Sequence, residues 1–181
     1  YYSDLVDISF SRSSLYDTVF LRLRHSNKDK EVFSIGDSIY PINRNISITL
    51  KPKGSYTEKF SVYRSAGRYF QYMGGTWVNG KITFSTRDFG DFVLLEDTNA
   101  PSIRKMAVNG AAARFKIYDD LSGIAYYEAS INGEWLLMNY DYKTNMIWAE
   151  RQNSKIPLKG DLSVKVVDNA GNENIYKEKI P

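Results

Sequence analysis

Leu162-Ser163-Val164-Lys165-Val166-Val167 sets apolar residues at alternate positions with polar ones between them, and the reading of this stretch decides the fold class. A period of two belongs to a strand with one face on a core, because successive side chains leave a pleated backbone on opposite sides. Ile46-Ser47-Ile48-Thr49-Leu50 repeats the pattern, Phe115 and Ile117 alternate with Arg114 and Lys116, and Val19-Phe20-Leu21-Arg22-Leu23-Arg24 fits it too. The 14 tyrosines and 9 phenylalanines suit pleated surfaces, which favour aromatic side chains. The pattern offers no capped amphipathic helix, and its best helical turn is Ser13–Asp17.

Turn chemistry punctuates these runs. Val78-Asn79-Gly80-Lys81 and Ile131-Asn132-Gly133-Glu134 carry the Asn-Gly pair of a tight hairpin, whose central residues both need positive φ. Val108-Asn109-Gly110-Ala111 is read as a third case, and Asp168-Asn169-Ala170-Gly171-Asn172 as a turn with Gly171 in the left-handed position. The best boundary is Asp97-Thr98-Asn99-Ala100-Pro101, where a strand-like run ends and proline stiffens the connection. The chain is therefore expected to be all-β, with two consecutive antiparallel β-sandwich domains over residues 1–98 and 99–181. The strand count of the second is that of an immunoglobulin-like or fibronectin-like sandwich.

Composition removes several function classes. The 24 basic and 21 acidic residues are interspersed and leave a net charge of +3, which argues against nucleic acid as a partner. Cysteine is absent, so disulfides, thiolate zinc sites and cysteine nucleophiles are excluded. No apolar run is long enough for a membrane-spanning helix. The chain opens at Tyr1 rather than Met, without a signal-peptide pattern, and is expected to be a fragment or mature form of a longer protein.

Two groups of residues carry a family resemblance. The second half contains Asp119-Asp120-Leu121-Ser122-Gly123-Ile124, Ile131-Asn132-Gly133-Glu134-Trp135, Tyr140-Asp141 and Asp168-Asn169-Ala170-Gly171-Asn172. The first half ends with Gly74-Gly75-Thr76-Trp77 and Thr86-Arg87-Asp88-Phe89-Gly90. Together they resemble the C-terminal β-sandwich region, with a bacterial immunoglobulin-like domain, of cell-envelope proteins from the Bacteroides lineage. In that group the region often follows a lysostaphin-like zinc metallopeptidase domain. The resemblance implies an extracytoplasmic location (periplasm or cell surface) and an upstream domain in the same chain. It carries over no catalytic residue, because such a zinc site needs several histidines and this chain has one, His25.

The remaining constellations favour structural roles. His25 lacks a nucleophile elbow beside it and is read as a surface-loop residue. Asp88 with Asp91, and Glu96 with Asp97, lie beside turns, where carboxylates cap backbone donors. Asp119, Asp120 and Asp168 come from turns that a sandwich gathers at one pole, and are candidate calcium ligands, although no calcium-loop motif accompanies them. Tyr72, Trp77, Tyr127 and Trp135 are candidate ligand contacts, since exposed aromatics stack on sugars or anchor proteins. The chain itself is thus expected to be non-catalytic. It is read as an accessory or interaction region, plausibly the tail of a peptidoglycan-cleaving metallopeptidase, contacting cell-wall glycan or an envelope protein. The alternative is a stand-alone carbohydrate-binding or adhesion protein.

Overall fold

Alternating apolar residues form strands along both halves of the chain in a computed structural model that describes residues 1–151, 153 and 155–181. The chain divides into two units, Tyr1–Asp97 and Thr98–Pro181. Unit 1 contains β1 (Val6–Ser9), β2 (Leu23–Asn27), β3 (Glu31–Ile35), β4 (Ile46–Leu50), β5 (Phe60–Ala66), β6 (Tyr69–Gly74), β7 (Thr76–Val78), β8 (Lys81–Thr86) and β9 (Gly90–Glu96). They form a four-stranded sheet, β1-β4-β8-β7, and a five-stranded sheet, β2-β3-β9-β5-β6. Unit 2 contains β10 (Ser102–Val108), β11 (Ala112–Tyr118), β12 (Ile124–Ile131), β13 (Glu134–Trp135), β14 (Asn139–Asp141), β15 (Met146–Glu150), β16 (Gly160–Asp168) and β17 (Glu173–Ile180). Its sheets are β10-β11-β15-β14 and β13-β12-β16-β17. Every strand pair is antiparallel, and no helix occurs among the described residues. Among the described residues no helix is therefore long and apolar enough to cross a membrane.

Each unit is a β-sandwich because the apolar faces of its two sheets meet. In unit 1, Ile46, Ile48 and Leu50 of one sheet join Phe33, Phe92 and Leu94 of the other in a single core. In unit 2, Phe115, Ile117 and Ile147 meet Leu162, Val164 and Val166. Each such fully buried side chain stabilises the fold by about 1.5–3 kcal/mol relative to exposure. The chain changes sheets between β6 and β7 at Gly74-Gly75. There Gly75 has φ 130°, and a Cβ would lie 2.6 Å from the Ile82 side chain, so only glycine fits.

The hairpins at Asn79-Gly80 (φ 51° and 71°) and Asn132-Gly133 (φ 53° and 82°) have the expected positive angles, as does Gly171 (φ 88°). Three expectations need correction. Asn109-Gly110 is not among the positive-φ positions, and the Asn109 side chain instead closes an Asx-turn by accepting the Ala111 and Ala112 amides. No helical turn forms at Ser13–Asp17, because Ser13 takes φ 75° and Leu15 bridges to Ile42. The run from Val19 becomes strand only at Leu23, where pairing with Ile35 of β3 begins. Val19 and Leu21 still pack on the core, so their alternation reports burial without a hydrogen-bonded neighbour.

Candidate functional site

The aromatic candidates have different surroundings. The Trp77 indole packs against the unit 1 core, donates Nε1–H to the Phe60 carbonyl (2.7 Å) and stacks on Tyr56 at 6.3 Å. Tyr72 lies edge-on to the buried Tyr63 ring at 5.4 Å. Tyr127 packs on the unit 2 core beside Tyr140. Trp135 is 71% exposed. Tyr127 and Trp135 share the β13-β12-β16-β17 sheet but point to opposite faces. Tyr72 and Trp77 belong to different sheets of unit 1.

Trp135 lies on the outer face of its sheet, because it pairs with Ser130, whose neighbours Ala129 and Ile131 face the core. The same face continues across the strands through Ser163, opposite Ser130, and Lys177, opposite Ser163. Two adjoining shallow depressions of about 810 and 390 Å³ share Ser130, Gly133, Ser163 and Lys177, and Trp135 lines the smaller.

Two of the three acidic candidates meet at one pole of unit 2. Carboxylate oxygens of Asp119 and Asp168 lie within 4.8 Å of each other. Asp119 Oδ2 accepts the Gly123 amide at 2.7 Å and the Leu121 amide at 3.1 Å. Asp168, 1% exposed, accepts the Ala170 and Asn172 amides through Oδ1 and the Asn172 side-chain amide through Oδ2. Asn169 ties the two turns together by donating to the Ser122 and Gly123 carbonyls. Asp120 is exposed and lies outside this group. Both carboxylates thus satisfy backbone donors of their own partly buried turns, which an apolar residue would leave without these partners.

The sequence reading missed a buried acid in unit 1. Glu31, 2% exposed, accepts His25 Nε2 at 2.7 Å, the Lys53 amide at 2.9 Å and the Gly54 amide at 3.3 Å. Burial pushes its pKa up, but hydrogen bonds from Lys53, His25, Gly54 and Tyr56 outweigh that and hold the carboxyl below its ordinary range. Burial, with the hydrogen bond and charge of Glu31, pushes the Tyr56 hydroxyl up to about 12. His25 is therefore not a loop residue. It lies in β2, and its Nε2 is directed at a carboxylate that anchors the segment after β4. Asp88 is likewise engaged, with Arg64 at 3.2 Å. This arrangement holds loops in place, and it aims no histidine at a nucleophile.

A family model described as the Zu5-like domain matches residues 1–97. No curated protein matches the chain.

Proposed function

The chain belongs to the Zu5-like domain family through residues 1–97, and from that premise we propose that it is a non-catalytic accessory and interaction region of an extracytoplasmic bacterial protein. One observation carries the reading. Glu31, His25, Asp119 and Asp168 are engaged in holding turns and loops, whereas the Trp135 side chain stands exposed on a sheet face. Such a region acts by position: rigid sandwiches set a neighbour's distance and raise its effective concentration at a surface. The strand orders β10-β11-β15-β14 and β13-β12-β16-β17 support an immunoglobulin-like second unit, since they follow the usual arrangement of that sandwich with one added edge strand. The turn motifs around Asp119 and Asp168 support a cell-envelope protein of the Bacteroides lineage, with a zinc metallopeptidase upstream.

The exposed Trp135 favours a second reading, a stand-alone carbohydrate-binding or adhesion protein of the cell surface. Reading the native gene upstream of the Tyr1 codon separates the two. A signal peptide followed by a peptidase domain with paired histidine motifs supports the tail. A signal or lipoprotein sequence directly before Tyr1 supports the stand-alone binder. A gene without any export signal contradicts both.

A further inference from the structure

We infer that Asn79-Gly80, in the hairpin between β7 and β8, is a site of spontaneous deamidation, the one of the three Asn-Gly pairs that the fold leaves open to it. The reaction needs no enzyme. The Gly80 nitrogen attacks Cγ of Asn79, the new C–N bond closes a five-membered succinimide, and the Cγ–Nδ2 bond breaks. Nδ2 leaves as ammonia, with the proton that the Gly80 amide gives up. Water then opens the ring at Cγ, giving aspartate, or at the Asn79 main-chain carbonyl carbon, giving isoaspartate. A following glycine favours the attack, because it has no Cβ to crowd its nitrogen.

The two tight hairpins form a comparison in which the backbone is nearly constant. Asn79 and Gly80 have φ 51° and 71°, Asn132 and Gly133 have φ 53° and 82°, and all four residues are exposed. A Cβ at either glycine would meet nothing within 4 Å, so the rest of the chain crowds neither. The side chains differ. Asn132 Oδ1 accepts the Asp161 amide at 2.8 Å, and its Nδ2 donates to the Lys159 carbonyl at 3.4 Å. The same group lies so close to Gly160 that a Cβ there would be 2.2 Å from Oδ1. Asn109 is held as well, with Oδ1 accepting the Ala111 and Ala112 amides at 2.8 and 3.1 Å, and its Gly110 is half-buried against Pro157. The Asn79 side chain makes no hydrogen bond among the described residues, so it turns toward the Gly80 nitrogen without giving one up.

Conversion changes the hairpin in two ways. It replaces a neutral side chain by a carboxylate and lowers the net charge of +3 by one, in a shallow depression that Glu58 also lines. Isoaspartate further adds a backbone atom to a two-residue loop whose closing pair is Val78 with Lys81.

The test ages the full chain in mildly alkaline buffer, with and without denaturant. It follows the three Asn-Gly peptides by mass spectrometry, with chromatographic separation of isoaspartate. In the folded chain the Asn79 peptide should convert several-fold faster than the Asn132 and Asn109 peptides, and Asn79→Gln should abolish the first acidic form seen on ion exchange. In denaturant the three rates should converge, because the glycine is common to all and the fold alone separates them. Equal rates in the folded chain, or faster conversion at Asn132 or Asn109, overturn the inference. An ordering that persists in denaturant also overturns it, by placing the difference in the neighbouring residues. So does a folded chain in which none of the three converts while all convert in denaturant, since the turn itself would then be protective.

Discussion

Trp77 and Trp135 each lie two residues from an Asn-Gly hairpin turn, the first before its turn and the second after, and meet opposite fates. Trp77 lies opposite Ile82, which is fully buried, so its indole joins the unit 1 core. Trp135 lies opposite Ser130 on the outer face of unit 2. The turns are alike in backbone angle, so turn chemistry does not separate them. Strand parity does: a shift of one residue moves every side chain of a strand to the other face. An aromatic beside a turn therefore becomes core or contact surface according to its cross-strand partner.

The largest expected effect is in the core member of the pair. Trp77→Ala removes an indole packed on Tyr56 and leaves the Phe60 carbonyl without its donor, and should cost about 3 kcal/mol in denaturant unfolding of unit 1. A cost below about 0.5 kcal/mol would break the comparison.

Turn locking comes next. Asp168→Ala removes a buried carboxylate that accepts the Ala170 and Asn172 amides of its partly buried turn and should destabilise unit 2 by about 2 kcal/mol. The same measurement with calcium and with chelator checks the cation role. Equal midpoints are expected if both Asp168 oxygens serve the turn, and a higher midpoint with calcium would assign them to a metal.

Acid should act on unit 1 through Glu31. Its folded pKa lies below the ordinary 4.5, so its hydrogen bonds contribute fully above that value and are lost as pH falls through the folded value. The wild-type midpoint should therefore fall more steeply below pH 4.5 than that of Glu31→Gln. Parallel pH profiles would remove Glu31 as the anchor of the loop. The smallest effect is at the exposed member: Trp135→Ala should change stability by less than about 0.5 kcal/mol.

Much of the fold was legible locally. Ile46–Leu50 and Leu162–Val167 alternate and form strands, and two of the three Asn-Gly pairs make the expected hairpins. What was not legible depends on residues distant in sequence. Glu31 is buried because amides more than twenty positions away close over it, and nothing near it announces that. Val19–Leu21 alternates like a strand but joins no ladder among the described residues; pairing with β3 starts only beyond the Arg22 carbonyl, which accepts from Gly36, and alternation cannot supply a partner. The candidate site was legible only in part. Trp135 was identifiable as an aromatic beside a turn, but its row with Ser130, Ser163 and Lys177 needs the register of four strands.

Acrylamide quenching of tryptophan emission in Trp148→Phe, which leaves only these two indoles, and in the same background with Trp77→Phe or Trp135→Phe added, tests their opposite fates most directly. Trp135→Phe should remove most of the readily quenched emission, and Trp77→Phe should leave that component intact. If Trp77→Phe instead removes the quenchable component, the exposed aromatic lies on unit 1, and the assignment of the contact face to unit 2 is contradicted.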